Sequence, residues 1–398
     1  MPWRKETVTS QRAEFILEAK SKECSFSEIC RRFGISRTIG YKWIERFENE
    51  GLKGISDRSK RPHSANKQVP QEVVTTIVAY RQSHPSWGAT KIRKVILREF
   101  KKVPSRRAIH RILQDCNLIS TRRRHGRRDT NRKRVVLAAC RCNHIWTVDF
   151  KGWWRTGDGQ KVFPLTIRDE FSKMVLAIVM LPRATLDLVK QAFIECFVHY
   201  GMPEYIRSDN GTPFAFSQGL CGLSRLSGWW IKLGIIPNFI PPASPQYNGG
   251  HERMHRDMAK DIQCSPARNL YQQQLIADVW RNDFNFVRPH DSLNDKTPSQ
   301  VYRKSKLKYK RAEAALEYPN HLFTRFVDQQ GKFKFNGKKI FLSKAVGGEN
   351  IALDFTHPDY VNIWYASVLL ARSDVLFEQT IEEYNLITGI LSDTSKAA

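Results

Sequence analysis

The sequence lacks the long apolar segments that mark secreted and membrane proteins. Its first residues, MPWRKETVTSQRAEF, contain no apolar stretch of the kind that a signal peptide carries. The longest apolar runs, such as MVLAIVML at 174–181, are far too short to span a bilayer. We therefore expect a cytoplasmic protein with no membrane partner.

Cysteine is present eight times, but without the spacing of a disulfide framework or a zinc finger. The segment CRCNH at 140–144 has the residue types of a zinc site, yet no second pair of ligands follows at finger spacing. We therefore expect reduced thiols and no zinc site.

Acidic residues are scarce in the first third of the chain. Residues 1–135 contain 33 Lys and Arg but only 13 Asp and Glu, a net charge of +20, so the rest of the chain carries only +6 of the total of +26. This surplus predicts a polyanion partner, most often nucleic acid. With 398 residues, 41% of them hydrophobic, the chain is long enough for two to four domains with real cores.

The first fifty residues have the pattern of a helix-turn-helix unit. SFSEICRRFG predicts a helix with Ser25 and Glu28 in a capping box, and Gly34 then permits a tight turn. ISRTIGYKWIERFENEG predicts a second helix that starts at Ser36. Its apolar stripe recurs every four residues and consists of Ile35, Ile39, Trp43 and Phe47.

The residues off this stripe are the candidate DNA contacts of the second helix, which in such units enters the major groove. They are Arg37, Thr38, Tyr41, Lys42 and Arg46. An ordinary surface helical hairpin is the alternative interpretation. Gly40 inside the helix weakens the prediction, because glycine costs roughly 1 kcal/mol against alanine there.

A second helix-turn-helix unit is predicted at 71–119, with a last helix that begins near Ser105. Its apolar residues Ile109, Ile112 and Leu113 should face inward. Its outward basic residues are Arg106, Arg107, His110 and Arg111, of which the three arginines are candidate DNA contacts.

Two basic, polar segments are predicted to be linkers. GISDRSKRPHSANKQVP at 54–70 is punctuated by proline, and STRRRHGRRDTNRKR at 120–134 holds eight basic residues. The second run could also lie along a phosphate backbone and add affinity that depends on salt but not on sequence.

From about residue 144 the pattern changes to strands alternating with helices. HIWTVDFKGWW, KVFPLTIRDEF and KMVLAIVML predict three strands, with GDGQ as the hairpin turn between the first two. Two further strands, PEYIRSDNG and IIPNFI, alternate with predicted helices, one of which contains HERMHRDM. This order predicts a mixed α/β sheet. Strand-like segments with an NG turn after about residue 320 predict a small β-rich domain.

Three carboxylates occupy informative positions in this pattern. Asp149 lies inside the first strand, where an uncompensated carboxylate is costly. Asp209 lies where a strand ends, and Glu252 lies in the first turns of a helix whose N-cap is Ser244 or Asn248. If the first and fourth strands are neighbours and the helix crosses their ends, the three carboxylates converge. Such a site suits the hard cations Mg²⁺ and Mn²⁺.

Taken one at a time, each acid also fits an ordinary structural role. Asp209 fits an Asp-Asn-Gly turn, Glu252 a favourable charge near a helix N-terminus, and Asp149 a hydrogen-bonded strand end. Short motifs mislead when read singly, so the assignment depends on the combination.

The combination resembles a known family. The strings WTVDF, IRSDNGTPF, SPQYNGGHERMHR and NFVRPHDSLNDKTP, in this order and spacing, closely resemble insertion-sequence transposases with a retroviral-integrase-type core. The resemblance covers about 140–303, and more weakly the helical front and the β-rich tail. It implies an RNase H-like fold and a catalytic, metal-binding triad of Asp149, Asp209 and Glu252. It also implies two Mg²⁺ ions per site, with Mn²⁺ as a substitute.

Two features depart from the family pattern. The gap between Asp209 and Glu252 contains 42 residues, longer than usual, and FSQGLCGLSRLSGWW could hold the extra residues as a loop and helix. The basic residue often found seven positions after the glutamate is replaced by Ala259. We therefore predict that Arg256 and, to a smaller extent, Lys260 contact the DNA next to the metals.

Two further acids, Asp169 and Glu170, fit the hairpin between the second and third strands, and we interpret them as structural. The fold prediction is a multidomain chain with all-α helix-turn-helix domains, an α/β RNase H-like catalytic core and a small β-rich C-terminal domain. The predicted domains and linkers are 1–53, 54–70, 71–119, 120–139, 140–303 and 304–398.

The predicted function is that of a DNA transposase. It would bind the terminal inverted repeats of a mobile element, cut there, and join the freed end to target DNA. Joining needs two element ends, which predicts a dimer or larger assembly on DNA, associated with the nucleoid. The alternatives are a domesticated DNA-binding protein or repressor with an inactive core, and an RNase H-like nuclease that cuts without joining.

Overall fold

The computed structural model describes residues 7–58, 69–119, 137–216, 219–240, 249–310 and 315–377, with the backbones of two further strands near the C-terminus. The chain forms two compact units, Met1–Val69 and Pro70–Ala398. The N-cap candidates Ser244 and Asn248 and most of both predicted linkers lie outside the described residues. Across the described ranges, every helix is too short or too polar to cross a membrane.

The first unit is helical, with α1 at Val8–Ser21, α2 at Phe26–Arg32 and α3 at Arg37–Glu50. Its core residues are Phe15, Ile16, Ile29, Cys30, Trp43 and Ile55. Gly34, at a φ of 64°, makes the predicted turn between α2 and α3. The Ser36 hydroxyl caps α3 by accepting a hydrogen bond from the Ile39 amide at 3.3 Å.

Two predictions about these helices are wrong: the capping box at the start of α2 and the inward position of Ile39 in α3. Ser25 stands at the N-cap of α2, but its side chain makes no capping hydrogen bond, so the capping box with Glu28 does not form. In α3, Ile39 is 44% exposed while Gly40 is buried. A Cβ atom on Gly40 would lie 2.9 Å from the Cys30 sulfur and from the ring tip of Phe15. The close approach of the helices at Gly40 therefore sets the rotation of α3.

The second unit begins with three helices, α4 at Gln71–Ser83, α5 at Ala89–Ile96 and α6 at Arg106–Asp115. Ser105 caps α6, and its hydroxyl accepts from the Ala108 amide at 3.2 Å. Ile109 and Leu113 are buried as predicted, whereas Ile112 is only half-buried.

The central sheet carries two of the three predicted carboxylates, Asp149 and Asp209, at or just after the ends of its strands. Its strands are β1 Ile145–Phe150, β2 Trp154–Arg155, β3 Lys161–Asp169, β4 Val175–Leu181, β5 Tyr205–Ser208 and β6 Ile236–Phe239. The main order across the sheet is β4-β3-β1-β5-β6, with the short β2 also paired to β3. β3 is antiparallel to β1 and β4, whereas β5 is parallel to both β1 and β6. This is the predicted RNase H-like arrangement.

The predicted first strand, 144–154, is interrupted in the structure. β1 ends at Phe150, and Gly152 has a φ of 92° that extended strands do not adopt. The chain resumes as β2, which forms the hairpin with β3 around the GDGQ turn.

Helices cover both faces of the sheet. They are α7 Leu186–Tyr200, α8 Arg225–Lys232, α9 Gly249–Met258, α10 Leu270–Asn282 and α11 Pro298–Val301. A π-helical turn, Ala259–Gln263, continues α9, and another, Asp283–Val287, continues α10. One core places Phe193, Phe197 and Trp230 of α7 and α8 against the sheet. The opposite core contains Met254 and Met258 of α9.

The C-terminal part is rich in β-strands. They are β7 Phe323–Phe326, β8 Lys332–Phe335, β9 Lys338–Phe341, β10 Asn350–Asp354, β11 Tyr360–Tyr365, β12 Val368–Asp374, β13 Glu382–Asn385 and β14 Ile390–Leu391. Asn336 and Gly337 join β8 to β9 with φ values of 45° and 75°, as the NG turn predicts. Leu220 and Leu223, from the segment predicted to hold extra residues, share a core with these strands.

Candidate active site

Two of the three predicted carboxylates lie at the ends of neighbouring strands. Asp149 is the next-to-last residue of β1 and is half-buried, and Asp209 follows β5 directly and is exposed. The parallel register ends with the pair Thr147 and Arg207, and each aspartate follows its member of this pair by two residues, so both lie at the same edge of the sheet. The Asp209 carboxylate also accepts a hydrogen bond from the Gly211 amide at 3.1 Å, which is the turn role that the sequence left open.

The third carboxylate, Glu252, is exposed in the first turn of α9. His255, three residues later, has its Nδ1 3.8 Å from Asp149 Oδ2. Because residues three apart are neighbours on a helix, Glu252 lies on a part of α9 that is close to the end of β1. Among the described residues, the ligand atoms that gather within 4.8 Å belong to Asp149, His251 and His255, and this group does not include Asp209 or Glu252.

A buried network of histidine and threonine side chains holds α9 on the sheet. His251 Nε2 lies 2.7 Å from Thr147 Oγ1, and its Nδ1 lies 3.1 Å from Thr166 Oγ1. His255 Nε2 lies 2.8 Å from the same Thr166 oxygen. These hydrogen bonds connect α9 to both β1 and β3, and Thr166 also donates to the Asp149 carbonyl oxygen at 3.0 Å. They engage both ring nitrogens of His251.

Burial keeps these two histidines neutral. It lowers the pKa of His255 to about 3 and the pKa of His251 well below its ordinary value, with nearby Arg168 contributing in both cases. From the sequence alone, neither histidine is assigned a role. The available signal was their spacing of four residues, which puts both rings on one face of the helix. Imidazole nitrogens suit zinc or copper better than Mg²⁺, so we interpret the pair as positioning groups.

The acids that the sequence marked as structural have that role. Asp169 is fully buried and accepts hydrogen bonds from the backbone amides of Asn143 at 2.7 Å and Ser172 at 2.8 Å. Burial raises its pKa. Glu170 pairs with Arg168 and Lys173. Burial works to raise the pKa of Glu170, but the two cations outweigh it and the net shift is downward.

The predicted DNA contacts of α3 differ in exposure. Arg37, Thr38, Tyr41 and Lys42 are exposed, as a helix that enters a groove requires. Arg46 is half-buried, and its guanidinium lies over the Trp43 ring at 5.1 Å from the ring centre. Part of the Arg46 side chain therefore packs on the domain itself.

The arginines of α6 lie on a concave surface. Arg106, Arg107 and Arg111 are exposed and line an open groove with Ala89 and Thr90 from the start of α5. The two predicted DNA contacts near the central sheet are also exposed, Arg256 on α9 and Lys260 in the π-helical turn that follows. Ala259 begins this turn, so the α-helical spacing ends at Met258.

Comparison with protein-family models finds three matches. A helix-turn-helix domain matches residues 11–63, a homeodomain-like domain matches 39–113, and an integrase core domain matches 233–298. The integrase match includes α9 and therefore Glu252.

Similar proteins come from bacterial insertion elements. An uncharacterized 39.2 kDa protein of insertion element IS476 from Xanthomonas euvesicatoria is 22% identical over 250 residues, which cover 63% of this chain and 70% of that protein. An uncharacterized 31.7 kDa protein of insertion element IS407 from Burkholderia multivorans is 26% identical over 257 residues, covering 64% of this chain and 88% of that protein.

Solved structures with some likeness include an integrase catalytic core domain and an intasome. The HTLV-2 integrase catalytic core domain in complex with magnesium is 19% identical, with 42% of this chain and all of that chain covered at a TM-score of 0.31. The simian T-cell lymphotropic virus intasome in complex with PP2A regulatory subunit B56 gamma is 16% identical, with 75% and 98% covered at a TM-score of 0.37.

Proposed function

We propose that this chain, which has the helix-turn-helix domains and integrase-type core of an insertion-element transposase, cuts DNA at the ends of a mobile element and joins those ends to target DNA. The observation that carries the proposal is the register of β1 and β5. Because β1 and β5 are parallel neighbours, Asp149 near the end of β1 and Asp209 just after β5 lie at the same edge of the sheet, which supports the proposal that they act together with Glu252 of α9.

The donor set fits divalent cations. Asp149, Asp209 and Glu252 offer only carboxylate oxygens, the ligands that Mg²⁺ and Mn²⁺ prefer. Two such ions, when bound, would activate the attacking oxygen and stabilise the leaving oxygen of a phosphodiester. The protein itself would orient the carboxylates, because the threonine contacts of His251 and His255 hold α9 against β1 and β3.

The proposed chemistry consists of two displacements at phosphorus. In the first, a water oxygen attacks the phosphodiester at the element end, the bond from phosphorus to the 3′ oxygen breaks, and that oxygen leaves as a 3′-hydroxyl. In the second, this hydroxyl attacks a target phosphodiester, and a target 3′-hydroxyl leaves. The number of phosphodiester bonds is conserved in the joining step, so no external energy source is required.

The helix-turn-helix domains would select the DNA. We propose that the exposed side chains of α3 and α6 contact the terminal inverted repeats, and that Arg256 and Lys260 contact phosphates near the active site. Joining both ends of an element requires at least a dimer on DNA. The full domain boundaries predicted from the sequence, from 1–53 to 304–398, belong to the same proposal.

The proposal is tested by a strand-transfer assay with the DNA that flanks the gene and Mg²⁺. Asp149→Asn, Asp209→Asn and Glu252→Gln should each abolish cutting and joining but leave DNA binding intact, because removing an acid reduces the repulsion of DNA. The matched controls are Asp187→Asn and Glu195→Gln, two exposed acids on α7. Chelation of the metal should stop the wild-type reaction.

The outcomes separate the rival functions. Binding of the flanking DNA without cutting in Mg²⁺ or Mn²⁺ would identify a DNA-binding protein with an inactive core. Cutting without joining would identify a nuclease. Near-normal joining by one of the three triad variants would remove that residue from the proposed metal site.

A further inference from the structure

A second site is suggested by a cavity of about 300 Å³ on the side of α9 that faces β3. We call it the basic cavity. It lies between α5, β3, the first turn of α9 and the segment after α10. We call the three helices α4 to α6 the helical domain. Its cationic side chains are Lys91, Arg168, Lys173, Arg253 and Arg288.

Each carboxylate that lines the basic cavity forms an ion pair with a lysine or an arginine other than Lys91 and Arg253. Glu170 pairs with Arg168 and Lys173. Asp257 pairs with Arg288, and Asp291 accepts from Lys94 at 2.6 Å. Glu170 and Asp257 therefore offset two of the three positive charges of Arg168, Lys173 and Arg288.

Two cations of the cavity have no such match. Within the part of the chain that the structure describes, Lys91 and Arg253 form neither a hydrogen bond nor an ion pair with another residue. Arg168 and Arg288 have side chains only 4% exposed, and the Nε atom of each is buried without a partner in the described residues. The cavity thus has donors in excess of acceptors.

Lys91 is a largely buried cation of this cavity. Burial is the main cause that lowers its pKa to about 8; the charges of Arg288 and Arg253 also lower it, whereas Asp257 and Asp291 oppose the shift. The amides of the first turn of α9 add a partial positive charge, and Gly249 and Gly250 leave this turn without side chains on the cavity wall. An anion in the cavity would offset these charges together.

We propose that the basic cavity binds a phosphate group of the DNA backbone, with Lys91 and Arg253 as its direct ligands. The identification of the ligand as DNA rests on the proposed function. Lys91 belongs to the helical domain and Arg253 follows Glu252 on α9, so one bound phosphate would connect the domain that reads DNA to the helix that bears an active-site carboxylate.

The first experiment measures the binding of inorganic phosphate to the full chain, by calorimetry at constant ionic strength against chloride. The wild type should bind with a saturable isotherm, and Lys91→Met and Arg253→Gln should each weaken binding by about tenfold, as expected for the loss of a charge-assisted hydrogen bond. Lys102→Met and Arg183→Gln remove exposed charges outside the cavity and should leave phosphate binding unchanged. Circular dichroism verifies that each variant is folded.

The second experiment identifies the source of the phosphate. In ethylation interference with the flanking DNA, a discrete phosphate should impair binding of the wild type when ethylated, and this interference should disappear in Lys91→Met and Arg253→Gln. Phosphate binding that depends on these residues without any change in the interference pattern would show a site for free phosphate and overturn the DNA assignment. Unchanged phosphate binding in both variants would overturn the site itself.

The two proposals can fail separately. A chain that loses phosphate affinity and the discrete interference in these variants, yet never joins DNA, would contradict the transposase activity and keep the basic cavity. Normal strand transfer together with unaltered phosphate binding by Lys91→Met and Arg253→Gln would support the transposase activity and contradict the basic cavity as a phosphate site.

Discussion

At the scale of single residues, Gly250 has a role that its sequence position conceals. A Cβ atom at Gly250 would lie 2.0 Å from Nη2 of Arg168, whose side chain is almost fully buried and pairs with Glu170. A Cβ atom at Gly249 would meet no described atom within 4 Å. The two adjacent glycines are therefore unequal.

This difference predicts opposite tolerance to alanine. Gly250→Ala should displace Arg168, leave Glu170 without its buried partner and lower the free energy of unfolding by about 3 kcal/mol. Gly249→Ala should change it by less than about 0.5 kcal/mol. Chemical denaturation of both variants measures the difference, and equal stabilities would mean that the first turn of α9 does not pack on Arg168.

The helical positions of Arg256 and Lys260 predict which of the two contributes more to strand transfer. Arg256 lies within α9, one turn after Glu252, whereas Lys260 lies in the π-helical turn, where the α-helical spacing no longer applies. Arg256→Ala should lower strand transfer more than it lowers end binding, because a misplaced phosphate reduces rate before affinity. Lys260→Ala should have the smaller effect. Joining and binding assays run side by side check this, and a reversed order would assign the phosphate contact to Lys260.

The strand and helix positions of the three acids could be predicted from the sequence better than the contacts around them. Asp149, Asp209 and Glu252 stand in short strings whose strand or helix context is visible locally. The threonine partners of His251 and His255 come from β1 and β3, separated from α9 by 85 residues or more. Such contacts depend on the packing of the helix, which no local pattern specifies.

At the scale of elements, α3 shows how packing can reverse a propensity argument. A glycine in a helix interior predicts that alanine would stabilise the helix by about 1 kcal/mol. At Gly40, however, the added Cβ would be 2.9 Å from Cys30, Phe15 and Phe26. The sign of the effect therefore depends on whether helix propensity or core packing dominates.

We expect packing to dominate, so Gly40→Ala should destabilise the protein by about 1–3 kcal/mol. Thr38→Ala, on the exposed side of the same helix, should be neutral or slightly stabilising. Thermal unfolding of the two variants tests this. A higher melting temperature for Gly40→Ala would show that α1 and α2 move away from α3 at little cost.

The long gap between Asp209 and Glu252 also acquires a structural explanation at this scale. Leu220 and Leu223 pack into the core of the C-terminal strands. A Cβ atom on Gly228 of α8 would lie 2.5 Å from the Ala345 carbonyl oxygen, so the two regions approach closely. The sequence predicted an added loop and helix, but its contact with the β-rich part depends on residues about 100 or more positions away.

At the scale of the second unit, the helical domain and the core are connected by contacts of different kinds. His84 pairs with Asp283 at 3.0 Å, and Lys94 pairs with the exposed Asp291 and Asp295. Ser86 donates to Asp261 from both its amide, at 2.8 Å, and its hydroxyl, at 2.7 Å. The order of the helices and strands was predictable from local patterns, whereas these contacts join segments 175 or more residues apart.

The half-buried acceptor Asp261 should matter more than the exposed ion pairs. Asp261 also accepts from the Trp280 indole at 3.0 Å, so Asp261→Ala leaves several donors unpaired and should weaken the attachment of α4 and α5 by about 1–3 kcal/mol. Asp295→Ala leaves Lys94 its bond to Asp291 and should change the attachment by less than about 1 kcal/mol. Hydrogen exchange of the full chain tests the ranking: residues 71–97 should lose protection in Asp261→Ala and keep it in Asp295→Ala. Equal loss in both would mean that the surface charges hold the domain on the core.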